Sequence, residues 1–159
     1  MQKTTRQLQQ LLVAEDTRGV EIDVLRILDT PEALLEETLD NLLNIVRTGK
    51  TPVVFTLRRE IRLNDADQRQ HLGQQVSDFL VAIVRRLPFV PTYLVAKGGI
   101  TSHDILTHGL GIKAARVLGQ VVPSVPCVMA GQFPYIIFPG NVGDDGSLRQ
   151  VYEKLNVGS

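Results

Sequence analysis

Lys97-Gly98-Gly99-Ile100-Thr101-Ser102 falls where one kind of backbone must give way to another. Tyr93-Leu94-Val95-Ala96, just before it, reads as a short buried strand. Ile100 to Leu110, just after it, reads as a helix with Thr101, Ser102 and Asp104 near its start. Paired glycines at such a junction allow positive φ and let the backbone approach a ligand closely. The N–H groups of a helix start lack intrahelical partners and face any anion placed there. A second glycine loop, Pro139-Gly140-Asn141-Val142-Gly143-Asp144-Asp145-Gly146, follows another apolar run. Two such loops at strand ends point to a nucleotide or phosphorylated ligand.

The rest of the chain supplies the frame. Leu8, Leu11 and Leu12 give Thr5 to Ala14 a helical spacing. Val20 to Val24 alternates as a half-buried strand does. Thr30-Pro31 opens a helix with Glu32 at its positive end, Leu35, Leu39, Leu42 and Val46 form its stripe, and Gly49 stops it. Thr51 to Leu57 is a strand rich in β-branched residues. Arg58 to Ala66 is polar and reads as a loop, with Asp65 and Asp67 capping the next helix. That helix runs to Leu87, with a core face of Val76, Leu80, Ile83, Val84 and Leu87 and with Phe79 beside it. Ala114 to Leu118 with Val121-Val122, bent at Gly119, then Pro126 to Met129 and Tyr135 to Phe138, read as strands. Ser147-Leu148-Arg149-Gln150 has the pattern of a capping box before a last helix.

Strands alternate with helices early and cluster late. The expected fold is therefore α/β: a three-layer, helix-covered mixed and largely parallel sheet, Rossmann-like, with a late antiparallel extension. Ligands of such sheets sit beyond the carboxyl ends of the strands, so both glycine loops are expected at that edge. The 159 residues are expected to form a single domain, 1–159, with no linker or repeat. A doubly wound domain usually opens on a strand, whereas this chain opens on a helix, so an upstream strand is expected to precede it.

Lys plus Arg equals Asp plus Glu, 17 of each, so no global field favours nucleic acid or an acidic membrane. Arg58-Arg59 and Arg85-Arg86 read as solvated ends. No apolar run approaches the ~20 residues that span a bilayer. The one cysteine, Cys127, lies in a buried-strand pattern and reads as a structural thiol of a cytoplasmic protein. Ser102-His103-Asp104 is no relay, because adjacent side chains on a helix diverge. His103 and His108 are five apart and do not share a helix face as zinc ligands would. No catalytic or metal-ligating residue is assigned in this chain, and Asp144-Asp145 reads as a solvated turn.

Taken with Lys3 to Leu8, Leu94 to Ser102, Leu118-Gly119-Gln120-Val121 and Tyr135 to Gly143, the chain resembles the C-terminal nucleotide-binding domain of four-carbon acid sugar kinases, the DUF1537 family. The resemblance covers essentially the whole chain. It implies ATP, with Mg²⁺ on the nucleotide, as the bound cofactor. It implies a kinase that phosphorylates the C4 hydroxyl of threonate, erythronate or 3-oxo-tetronate. An N-terminal domain, on the same or a separate chain, would bind the sugar acid and supply the base. This chain would then be part of a longer or two-part protein, inactive alone. By the same resemblance Gly98, Gly99, Ile100 and Thr101 form a first nucleotide loop, and Gly140, Asn141 and Gly143 a second. Ile100 stands where the family often has an acidic residue, and Phe138-Pro139 where it often has Lys-Ser. Lys97 is a candidate to restore positive charge near the first loop. The alternative reading is a non-catalytic nucleotide- or metabolite-binding or oligomerisation module, with a homodimer formed through the sheet edge left by the absent upstream strand.

Overall fold

The computed structural model describes residues 2–56 and 65–157. The chain divides into two compact units. One takes both ends of the chain, up to Thr17 and from Val90 on, and the other is Arg18–Phe89.

In the central unit, β1 (Thr17–Ile22) and β2 (Thr51–Thr56) form a two-stranded sheet. Helices α2 (Val24–Asp29), α3 (Pro31–Arg47) and α4 (Ala66–Arg85) accompany it. Helix α2 replaces the end of the expected strand. Asp23 breaks the alternation by accepting the Leu25 N–H at 2.9 Å, an N-cap that turns the chain into a helix too short to show a period. Pro31 opens α3 as expected, but the Thr30 side chain makes no cap bond. The Thr30 N–H closes α2 on the Arg26 carbonyl instead. Gly49, at φ 77°, takes the chain out of α3 in a conformation that glycine adopts freely. Asp65 caps α4 through the Asp67 N–H, as the sequence suggests. The core joins Val20, Ile22, Ile27, Leu34, Leu35, Leu39, Leu42, Phe79 and Ile83. The loop expected from Arg58 lies, through residue 64, outside the described residues.

The other unit carries a four-stranded sheet in the order β3-β6-β5-β4. Its strands are β3 (Leu94–Lys97), β4 (Arg116–Val122), β5 (Val125–Ala130) and β6 (Phe133–Phe138). β3 and β6 are parallel, with Leu94 opposite Tyr135 and Lys97 opposite Phe138. The other two pairings are antiparallel. The α/β reading holds, and so does the late antiparallel extension, which takes a larger share of this sheet than expected. The cause is local: Pro123-Ser124 and Gly131-Gln132 are two-residue turns, and such turns can only join antiparallel neighbours. Ser124 and Gly131 supply the positive φ these turns need. Gly119 bends β4 at a register shift, as its position in the sequence suggests. Helix α1 (Gln2–Leu12) packs on α6 (Ser147–Leu155), and α6 also touches β4. Helix α5 (Gly99–Asp104) is followed by a π-helical turn, Ile105–Gly109, so the single helix expected there changes its hydrogen bonding halfway.

Candidate functional site

Parallel pairing of β3 and β6 makes both strands leave the sheet at one edge, and each runs straight into a glycine loop. The two loops are bonded at their roots, where the Gly98 N–H donates to the Phe138 carbonyl at 2.8 Å. The two sets of predicted site residues are therefore neighbours.

Gly98 has φ 103°, and a Cβ there would meet nothing nearer than Thr101 at 3.8 Å. Glycine is needed at 98 for the sign of its φ and not for space. Gly99 is exposed, in ordinary helical backbone, with open space where its side chain would be. The first helical bond runs from the Ser102 N–H to the Gly98 carbonyl at 2.9 Å. The N–H groups of Gly99, Ile100 and Thr101 precede it and are not used by the helix. The Ile100 side chain is 81% exposed beside them.

Ser102 departs from the expectation of a residue at the helix mouth. It is buried, and its hydroxyl donates to the Ala96 carbonyl at 2.9 Å. The buried Tyr135 hydroxyl donates to the Ser102 carbonyl at 2.8 Å, and burial pushes this phenol's pKa well up. Ser102 thus ties α5 to β3 and β6 beneath the loop.

The second loop is held from α1. Gln7 is fully buried, and its Nε2 donates to the carbonyls of Val142 at 3.1 Å and Asp144 at 2.8 Å. Gly143, at φ 78°, turns under Ser147, and a Cβ there would stand 2.3 Å from the Ser147 Oγ. That hydroxyl accepts the Asp144 N–H and donates to Asp144 Oδ1, both at 2.9 Å. Asp144 Oδ1 also accepts the Gly146 N–H at 3.0 Å. Ser147 is the first residue of α6 and Gly146 its cap, so the capping box read from the sequence is not formed. Asp144 orders this helix start instead. Asp145 lies 3.6 Å from Arg6.

Two lysines flank this loop. Lys97 Nζ is 3.5 Å from each of the Pro139 and Gly140 carbonyls and 4.5 Å from the centre of the Phe138 ring. Its ammonium group thus lies against the second loop, although the residue itself stands directly before the first. Lys3 Nζ is 3.3 Å from the Asn141 carbonyl. Burial, and then Lys3, push the Lys97 pKa down. A shallow open depression between the loop and α1 is lined by Lys3, Gly143, Asp144, Asp145 and Gly146.

Gln7 and Lys3 were not singled out as site residues from the sequence. A signal for Gln7 exists, since it precedes Leu11 by four on the buried stripe of α1, where a polar residue needs partners. Cys127 is buried in β5, which pushes its thiol pKa up and suits a structural role. Among the described residues, no three His, Cys, Asp or Glu side chains gather as a metal site. None of their helices is long and apolar enough to cross a membrane.

The family model of the nucleotide-binding C-terminal domain matches residues 1–148. The chain belongs to that family. Solved structures share the fold of this nucleotide-binding C-terminal domain. A Haemophilus influenzae DUF1537 protein superposes with TM-score 0.78 at 18% identity, over 95% of this chain and 37% of its own. A Salmonella typhimurium LT2 protein gives 0.72 at 23% identity, over 94% and 37%. A Bordetella bronchiseptica DUF1537 protein, a domain-swapped dimer with bound citrate, gives 0.66 at 16% identity, over 96% and 38%. This family member therefore spans just over a third of the length of each. A comparison with curated proteins finds no match.

Proposed function

We propose that this chain is the ATP-binding part of a kinase that phosphorylates the C4 hydroxyl of a four-carbon acid sugar of the threonate, erythronate or 3-oxo-tetronate type. The observation that carries this reading is the meeting of two glycine loops at the ends of the parallel strands β3 and β6, in a member of a nucleotide-binding family. Gly98, Gly99, Ile100 and Thr101 form one wall of the nucleotide site, and Gly140, Asn141 and Gly143 the other. In phosphoryl transfer a protein mainly positions phosphates and balances their charge. The backbone N–H groups of Gly99 to Thr101, which the helix leaves unused, suit the first task, and Lys97 and Lys3 suit the second. Mg²⁺ would arrive on the phosphates. Asp144 is engaged by Gly146 and Ser147, which makes it a holder of the loop and not a free metal ligand.

The sugar acid and the catalytic base belong to a further part of the protein, on this chain or on another. The solved relatives, nearly three times as long as this chain's match to them, support that division. Calorimetric titration with ATP and ADP, with and without Mg²⁺, tests the reading. Saturable binding by the wild type that Gly99→Val abolishes is the expected result, because valine fits the fold at 99 but fills the space beside the free N–H groups. No binding at millimolar nucleotide would sink it.

A second reading is favoured by β4. It is an edge of its sheet, and Arg116 to Gln120 are exposed, with Val117 at 68%. Such an edge suits pairing with a second copy. Val117→Lys should then lower the molecular mass seen by light scattering.

A further inference from the structure

Lys97 and Lys3 reach the same loop from different elements, the end of β3 and the start of α1. Neither makes an ion pair with a carboxylate among the described residues. The loop's own carboxylates are engaged elsewhere, Asp144 with Gly146 and Ser147, and Asp145 with Arg6. Carbonyl oxygens are what the lysines have. The two contacts of Lys97, each 3.5 Å, lie at the outer limit of a hydrogen bond, and a carbonyl carries only a partial charge. Lys97 is half-buried, so its charge has lost water without gaining a counter-ion. The depression of its pKa by burial and by Lys3 reports that imbalance. β6 ends in Phe138-Pro139 and brings no charge of its own. Gln7 meanwhile draws the Val142 and Asp144 carbonyls toward α1, which commits their oxygens away from an incoming anion.

We infer that Lys97 and Lys3 form a cation pair that takes the polyphosphate part of the ligand over the Pro139–Gly143 loop. The inference rests on the nucleotide reading above and names the residues that supply its charge. Two compact ammonium groups favour a di- or triphosphate over a monophosphate, because each can neutralise a separate phosphate. The competing account is that Lys97 only covers the Phe138 ring. Lys97→Met keeps an unbranched stem on that ring and removes the charge, so it separates the two.

The test is calorimetry without Mg²⁺, using ATP, AMP and inorganic tripolyphosphate against wild type, Lys97→Met, Lys3→Gln and the double variant. Each single variant should bind ATP and tripolyphosphate about tenfold more weakly, as expected for one lost charge-assisted contact, and AMP nearly unchanged. Lys97→Arg should recover part of the loss. Lys3 is exposed at a helix start, so Lys3→Gln keeps its fold and decides the matter even where Lys97→Met unfolds. Wild-type affinity for ATP in the variants overturns the cation pair and leaves the nucleotide site standing. Lysine-dependent binding of tripolyphosphate with no added affinity for ATP upholds the pair and overturns the nucleotide site. No binding of either probe by the wild type overturns both.

Discussion

Gly143 and Gly99 both line the candidate site, but the backbone demands glycine at only one of them. At Gly143 the positive φ strains any residue with a side chain, and Ser147 fills the place of a Cβ. Gly143→Ala should destabilise the protein by about 1–3 kcal/mol from backbone strain alone, with the Ser147 clash added. Urea unfolding reads this directly. Gly99→Val should leave the unfolding midpoint nearly unchanged while removing nucleotide binding. Equal destabilisation by both would remove the distinction. Gln7 offers a second test. Gln7→Leu strips donors from two carbonyls and should destabilise by about 1–3 kcal/mol. Gln7→Glu turns an acceptor toward the same carbonyls and should be worse at neutral pH. Burial among acceptors favours the protonated acid, which can donate, so its folded-state pKa is raised. The deficit relative to wild type should then shrink as pH falls and grow as pH rises through that pKa. A deficit independent of pH would refute this. The glycine loops were legible in the sequence because clustered glycines directly after apolar runs mark the end of a strand and the start of a turn. The place of Gln7 on the buried stripe of α1 was legible too, but its partners, more than a hundred residues away, were not.

At the scale of elements, the sequence shows periods well and hydrogen-bond details poorly. Helices α3 and α4 and strands β2, β5 and β6 lie where the pattern puts them. Of the face expected on α4, however, only Ile83 is buried, joined by Phe79, Val81 and Ser77, while Val76, Leu80, Val84 and Leu87 are half-buried. Helix α2, six residues long, is hidden because it holds less than two turns. The change from α to π bonding after Asp104 is hidden as well. At its end the Leu110 N–H reaches the Ile105 carbonyl at 2.9 Å, five residues back. Beneath the first loop the bonds among Ser102, Ala96 and Tyr135 fix the angle at which α5 leaves β3. Tyr135→Phe leaves the Ser102 carbonyl buried without that donor and should destabilise by about 1–3 kcal/mol. Hydrogen exchange should quicken in α5 more than in α6. An unchanged α5 would mean that the Tyr135 hydroxyl does not support the loop.

The whole molecule has 17 basic and 17 acidic residues and therefore no net field to draw in a nucleotide. Attraction for an anion must be local, which makes the state of Lys97 visible in binding. Its pKa in the free protein lies below the ordinary value of 10.5 because of burial and the nearby Lys3 charge. A bound polyphosphate stabilises the ammonium and raises that pKa. Affinity is then full below the free-state pKa and falls as pH rises through it, with the change complete at or above the pKa of the bound form. For stability without ligand the sign is reversed. The folded state binds the proton less tightly than the unfolded chain, so Lys97 disfavours folding below its folded pKa, and this penalty fades as pH rises toward 10.5. Titrating ATP in buffers of different ionisation enthalpy should show proton uptake on binding in that alkaline range. Lys97→Met should abolish the uptake and flatten both profiles. Proton uptake that survives the substitution would assign the linkage to another group and detach Lys97 from the phosphates.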